Sequence, residues 1–358
     1  MASQPIVPVE RLKKRHYIGP AFVAAVAYLD PGNFATNMTA GAQYGFLLLW
    51  VIVAANLMAV MIQTLSAKLG LVSNTSLAEV IRDELSPVMR IIYWAQAELV
   101  AMATDLAEFV GAALGFNLLF GIDLKIAALL TAVASFIILG FERKGLRHFE
   151  AVIGALVLVI ALAFAIQVIE VKPVLRDDAG GLIPGFSGTS SIVLAAGMLG
   201  ATVMPHAIYL HSDLTKRRMG TIADKKGLLR IQKMDIWAAM LIAGAVNGAM
   251  LVIAATVFFG TSQQAETLES IFHGLGTSLG GAAPYLFGGA LLISGLASSS
   301  VGTMSGDAIM RGFLKMEIPI FLRRSVTMLP AIILLLSGFD PTRALIWSQV
   351  ALSFGIPF

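Results

Sequence analysis

Cysteine is absent from the 358 residues. That excludes disulfides and thiolate metal sites, and it leaves methionine, present 16 times, as the only sulfur a ligand could meet. Charge is scarce too. Asp, Glu, Lys and Arg make up 13% of the chain, where a soluble domain carries about 25%. With 57% hydrophobic residues and a mean hydropathy of +0.82, the chain reads as an all-α polytopic membrane protein. No H-E-x-x-H string occurs, and no histidine stands in a metalloprotease context. No enzyme activity, resident cofactor or nucleic-acid partner is expected. Arg11 to Arg15, the apolar run from Ile18 and Ala25-Val26-Ala27 imitate a signal peptide. That run continues past the supposed cleavage site and the rest is polytopic, so the reading is set aside.

What is there is a series of apolar runs, each near the 20 residues that a helix needs to cross a bilayer. There are ten, at about 17–42, 46–66, 88–114, 124–141, 149–170, 190–214, 234–260, 282–308, 318–338 and 341–357. Residues 77–85 predict a short surface helix, and Gly288, Gly289 and Gly295 predict close helix packing. With the N-terminus in the cytoplasm, only Lys125, Lys172, Arg176 and Arg343 of the 25 Lys and Arg fall on outer segments. This bias predicts both ends on the cytoplasmic side of the cell's inner (cytoplasmic) membrane, with 1–16 a cytoplasmic segment and 17–358 the transmembrane domain.

Two runs carry helix breakers. The first contains Asp30-Pro31-Gly32-Asn33; the sixth contains Gly197 and Gly200, then Met204-Pro205-His206. They occupy equivalent places in two halves of five spans, about 17–172 and 189–358. Five is odd, so the halves have opposite orientation, and paired broken helices of this kind point to a transporter's midplane site. No obvious residue-level repeat links the halves. The expectation rests on position.

Asp30 before Pro31 suits an N-cap that starts the second half of a broken helix. An ionisable residue in the bilayer interior is also functional by default, and both readings can hold, because such a cap faces the cavity. Asn33 offers an amide oxygen, and the break frees backbone carbonyls, Ala27 among the candidates. These are oxygen ligands for a divalent cation. At the second break Met204 offers a thioether, and the interruption at Pro205 can free the carbonyl of Ala201. A soft sulfur among hard oxygens suits Mn²⁺ and Fe²⁺ and discourages Mg²⁺ and Ca²⁺, without excluding Zn²⁺, Co²⁺ or Cd²⁺.

The strings YLDPGNFATN and GATVMPHAIYLHS, in matching broken helices, resemble the Nramp family of proton-coupled divalent metal transporters. The resemblance runs from about residue 16 to the C-terminus. It implies the LeuT-like fold of the sodium-coupled amino-acid symporters, with inverted repeats of 5+5 helices. It also implies metal ligation by Asp30, Asn33, Met204 and the carbonyls of Ala27 and Ala201, and it adds Gln349, in WSQVALSFG, as a ligand in some conformations. Magnesium-transporting relatives lack the methionine. Two departures stand out. The chain ends at Phe358, where members usually continue into an eleventh helix, and the site is expected to survive this. Ala207 follows MPH where a larger residue is common.

In the third span Glu98, Asp105 and Glu108 lie within about 80° of one another on a helix and are expected to face away from lipid. Arg323 and Arg324 sit at or within the inner end of the ninth span. They are open to two readings, a positive-inside anchor with structural salt bridges or a proton exit. In the second, a proton displaced from Asp30 passes to Asp105 and Glu108 and then along the arginines. The resemblance adds that matching positions serve such a path. His206, at the break, is expected to gate the pocket, link protons or hold the unwound segment by hydrogen bonds rather than to ligate metal. His211 is expected to face the cytoplasmic vestibule, and His16, His148 and His273 to lie in loops or at span ends. The resulting expectation is a monomeric importer of Mn²⁺ and Fe²⁺, driven by protons through alternating access. An amino-acid symporter of the same fold is the alternative, against which the anionic Asp30 argues. A metal-selective channel is a further one, which concentrative uptake would exclude.

Overall fold

The structure, a computed structural model, describes residues 19–142, 146–173, 178–219, 224–261 and 265–356. The segment 1–16, expected to be cytoplasmic, lies outside these residues with its His16, as do Arg143, Lys144 and Arg176. Among the described residues the regular structure is helical, with no strand. The first span is two helices, α1 (Pro20–Ala27) and α2 (Pro31–Tyr44). Then come α3 (Leu49–Ser73), the short α4 (Leu77–Glu84), α5 (Pro87–Phe120), α6 (Leu124–Glu142) and α7 (Leu146–Val171). The sixth span is again two pieces, α8 (Thr189–Thr202) and α9 (Pro205–Met219). The chain continues through α10 (Lys225–Phe258), α11 (Leu268–Leu279), α12 (Ala283–Leu314), α13 (Ile320–Leu336) and α14 (Pro341–Ser353).

Among the described residues, six stretches are long and apolar enough to cross a membrane: 49–73, 87–120, 150–171, 189–218, 225–258 and 283–314. The other expected spans form shorter helices, and the first is split. The seventh expected span starts late, because the charged turns from Lys225 to Lys233 carry helical backbone ahead of the apolar stretch, and α5 runs past the third expected span through Gly115–Phe120. The expected surface helix is α4. Its capping box is formed by Ser76 and Glu79, and only Ala78 along it is buried. The helix α11 was not anticipated. It is a short amphipathic piece opened by a Thr267–Ser270 capping box, and it holds His273, which was expected in a loop or at a span end.

Small residues set the closest helix contacts. A Cβ at Gly295 of α12 would stand 2.7 Å from the backbone nitrogen of Ala112 on α5, so α5 and α12 run backbone against backbone there. Gly288 also packs tightly, whereas Gly289, grouped with it from sequence, meets open space. The split first span lies in the centre. Helix α2 packs on α10, α8 and α14, and α1 on α10, α7, α9 and α12. Phe34 of α2 anchors it, with its ring 5.3 Å from that of Phe164 on α7 and 5.9 Å from that of Phe287 on α12. Every residue of α1 from Val23 to Ala27 is buried.

Candidate metal site

Both breaks follow from proline. An α-helical carbonyl is paired with the N–H four residues on, and proline has none. Pro31 therefore leaves the carbonyl of Ala27 without its helical donor, and Pro205 does the same to Ala201. The residue before a proline is pushed out of helical geometry, and Asp30 is extended, at φ −70° and ψ 166°. Each proline then serves as the first residue of a new helix, α2 or α9. The side chain before Pro31 and the carbonyl of Ala201 are brought together by Asn33, and Met204, before Pro205, is fully buried.

Asp30 caps α2. Its Oδ1 accepts from the backbone N–H of Asn33 at 2.9 Å and from Asn33 Nδ2 at 2.8 Å. The same Nδ2 donates to the carbonyl of Ala201 at 2.8 Å, so one amide bridges the two breaks. Thr202 Oγ1, on α8, reaches Asn33 Oδ1 at 3.5 Å. Gln349 of α14 donates from Nε2 to Asp30 Oδ2 at 3.4 Å, while its Oε1 is buried without a hydrogen-bond partner. Asp30, Asn33, Met204, His206 and Gln349 are each 0% exposed. The site is closed to solvent on both sides, and a buried amide oxygen with no donor is a group looking for a positive partner.

The rest of the first break is held by groups that sequence reasoning missed. The carbonyl of Tyr28 accepts from Asn247 Nδ2 of α10 at 2.9 Å, and that of Leu29 accepts from Ser294 of α12. Asn247 in turn accepts from Asn37 Nδ2 at 3.0 Å. Polar residues in apolar spans were the available signal, but their pairing is long-range.

His206 lies at the start of α9. Its Nδ1 is 3.2 Å from Thr104 Oγ1 of α5, and its Nε2 has no hydrogen-bond partner. His211 does not face a vestibule. It is fully buried, with Nδ1 2.6 Å from Gln63 Oε1, and Gln63 Nε2 is 2.5 Å from the hydroxyl of Tyr28 beside the first break. The α9 helix turns His211 inward because it is close-packed on α3, which carries Gln63.

The α5 carboxylates face the interior. Asp105 and Glu108 are buried, and Glu98 is partly so. Arg323 forms a fork with Glu98, at 3.2 and 2.7 Å. Arg324, only 1% exposed, bonds Asp105 at 3.1 Å and also donates to Ser299 and Ser135. Both arginines lie within α13, as the shortness of the apolar run required. Their burial is too deep for side chains that merely anchor a helix end at the membrane surface. Glu108 differs from its neighbours, because neither carboxylate oxygen has a hydrogen-bond partner. Gly302 makes room for the pair. A Cβ there would be 2.6 Å from Glu108 Oε2 and 2.8 Å from Asp105 Oδ1. One turn further along α5, Gly111 would place its Cβ 2.0 Å from that of Pro31, so the carboxylate row runs up to the first break.

The likeness to known proteins spans nearly the whole chain. A divalent metal cation transporter, MntH, of Bacillus subtilis is 52% identical over 345 residues, covering 96% of this chain and 81% of that protein. The MntH of Mycobacterium tuberculosis H37Rv is 50% identical, with the same coverages. Among solved structures, the manganese transporter of Eremococcus coleocola in complex with an aromatic bis-isothiourea compound superimposes with a TM-score of 0.86 at 32% identity, over 99% of this chain and 79% of that one. A nucleobase–cation symport transporter in a closed conformation matches with a TM-score of 0.60 at 14% identity, over 100% and 74% of the two chains, a likeness of fold. The fold is thus LeuT-like, with broken first and sixth helices, as the breakers implied. Residues 21–358 match the family of natural resistance-associated macrophage protein-like transporters, and the chain is a member of that Nramp family.

Proposed function

We propose that this membrane protein carries divalent transition-metal ions, Mn²⁺ and Fe²⁺, inward across the cytoplasmic membrane as a proton-coupled secondary transporter. The metal is cargo and not a cofactor. The observation that carries the reading is the bridge from Asp30 Oδ1 through Asn33 Nδ2 to the carbonyl of Ala201, closed over by Gln349. A cation held by those oxygens would replace the bridging NH₂ group, and a half-turn of the Asn33 amide would bring its Oδ1 to the same point. Ala27, Ala201, Asp30, Asn33 and Gln349 would then supply oxygen, and Met204 sulfur. One carboxylate with neutral dipoles, at the carboxyl ends of two half-helices, suits a cation. The thioether supports transition metals over Mg²⁺ and Ca²⁺.

Proton coupling is supported by the row from Asp30 through Glu108 and Asp105 to Arg324, with Glu98 and Arg323 at its inner end. Metal binding needs a deprotonated Asp30. Glu108, next along the row and without a hydrogen-bond partner, is the group able to take up a proton, and the paired Asp105 and Glu98 can pass it on. His206 sits between Thr104 and the break and gates the site. All the proposed ligands come from one chain, so a monomer suffices. The Lys and Arg bias supports a cytoplasmic N-terminus.

The test is Mn²⁺ uptake into proteoliposomes, with and without an inward proton gradient and with excess Mg²⁺ or Ca²⁺ present. Saturable uptake that the gradient accelerates, that Mg²⁺ does not inhibit and that Asp30→Ala abolishes is expected. No Mn²⁺ uptake under any gradient, with uptake of a radiolabelled amino acid instead, would replace this reading with the amino-acid symporter of the same fold.

A further inference from the structure

We infer that Gly32 and Gly200 are positioning residues that together form the seat of Gln349, and that they set how far this side chain enters the metal site. The inference rests on the reading of Asp30, Asn33 and Met204 as a metal site and adds how the last ligand is brought to it. Gly32 follows the proline of the first break, and Gly200 lies one turn before the second. A Cβ at Gly32 would stand 2.0 Å from Gln349 Nε2 and 2.2 Å from its Cδ. A Cβ at Gly200 would stand 2.0 Å from the main-chain oxygen of Gln349 and 2.8 Å from the nitrogen of Ser353.

The two contacts act on different parts of the same residue. Gly200 touches backbone, so a side chain there must push the whole of α14 away from α8. The nearest atoms to a Cβ at Gly32 are all side-chain atoms of Gln349, Nε2, Cδ and Cγ, so a methyl there turns that side chain aside and leaves α14 where it is. Gly32 is helical and its φ is not positive, so alanine fits the backbone without strain. Gln349 Oε1 is buried and has no hydrogen-bond partner, while Nε2 has only long contacts, at 3.4 Å to Asp30 and 3.3 Å to Ser348. A side chain held this loosely by hydrogen bonds is placed by shape, and the shape is that of the two glycines. Because one glycine belongs to each broken helix, with Gly200 of α8 against the backbone of Gln349 and Gly32 of α2 against its side chain, the amide is placed only when α2 and α8 have come together. The arrival of Gln349 then coincides with closure over the cation.

The experiment is a set of double-mutant cycles read by Mn²⁺ affinity of the purified full chain, by calorimetry, and by Mn²⁺ uptake in proteoliposomes. Gln349→Ala should weaken Mn²⁺ binding about five- to tenfold, as expected for one neutral polar contact. Gly32→Ala should weaken it by a similar factor in the wild-type background and have no effect in Gln349→Ala, where the side chain it displaces is gone. Gly200→Ala should give the same loss and add little to Gln349→Ala. Gly154→Ala, on α7 where a Cβ meets nothing within 4 Å, should behave as wild type. Independent, multiplicative effects of Gly32→Ala and Gln349→Ala would overturn the seat. So would Gly32→Ala with wild-type affinity. Should Gly200→Ala not fold, the Gly32 cycle still decides. Asp30→Ala run alongside separates the two levels: wild-type Mn²⁺ binding in that variant removes the metal site itself, whereas its loss together with additive glycine effects removes only the seat.

Discussion

The two broken helices share one device and differ in the side chain beside it. Aligned on their prolines, residues 27–31 read AYLDP and residues 201–205 read ATVMP. In both, alanine stands four residues before proline and offers the carbonyl that proline leaves without a donor. In both, the proposed side-chain ligand is the residue just before proline. The halves therefore do share a short residue-level repeat, which is hard to see until the helical pairing rule shows which positions matter. What differs is the proposed ligand. The first break has an anion, the second a neutral thioether. After proline the first break has Asn33 at the second position, where the second break has Ala207. Proline and alanine form the common frame, and the residue beside each proline sets whether the proposed ligand is hard or soft.

The sharpest way to break this comparison is to separate cap from charge at the first site. Asn caps a helix as well as Asp does, so Asp30→Asn keeps α2 and removes the anion. We expect Mn²⁺ uptake at background level with thermal stability near wild type, measured on the same preparation. Retained uptake would make Asp30 a cap only, and the two breaks would then be alike in lacking a functional charge.

At the second site the corresponding change is Met204→Ala. Mn²⁺ affinity should fall by about tenfold, equivalent to about 1.4 kcal/mol, and Ca²⁺, which the wild type is expected to exclude, should become a substrate. Competition uptake with Ca²⁺ against Mn²⁺ reads this directly. An equal loss for both ions would mean that sulfur is a ligand but no filter.

The shared scaffold predicts equal behaviour of the two prolines. Pro31→Ala and Pro205→Ala each restore an N–H four residues after the proposed carbonyl ligand, and that N–H competes with the metal for it. A neutral hydrogen bond contributes about 0.5–1.5 kcal/mol, so each variant should weaken Mn²⁺ binding by roughly two- to tenfold, and by similar factors. If only one variant has an effect, only one carbonyl ligates.

Much of this was legible because the breakers and the ionisable residues are rare in apolar runs. Asp30, Glu108 and the paired arginines announce themselves by their cost in lipid. Asn247, Ser294 and Thr104 do not, since a single polar residue in a span says nothing of which carbonyl or ring it will meet more than a hundred residues away. His211 misled for a related reason: its distance along α9 suggested the vestibule, but the pairing of α9 with α3 decides which way it points. The helix α11 was missed because an amphipathic piece of three turns, between spans, has too few apolar residues to register as a run.

The smallest effect on transport should come from the props of the first break. There the carbonyls of Tyr28 and Leu29 are taken by Asn247 and Ser294. Asn247→Leu leaves a buried carbonyl unsatisfied and also strands Asn37, which donates to it. A group left unsatisfied in this way costs about 1–3 kcal/mol. Melting of the purified protein should therefore shift downward for Asn247→Leu and, less, for Ser294→Ala, while Mn²⁺ affinity stays within about threefold of wild type, or under 1 kcal/mol. The reason is geometric. These carbonyls bond to α10 and α12, whereas the bridge from Asp30 and Asn33 reaches Ala201 on α8 and Gln349 on α14. A drop in Mn²⁺ affinity as large as that of Pro31→Ala would show that the props hold Ala27 in register with the metal, and that scaffold and ligand cannot be separated at the first break.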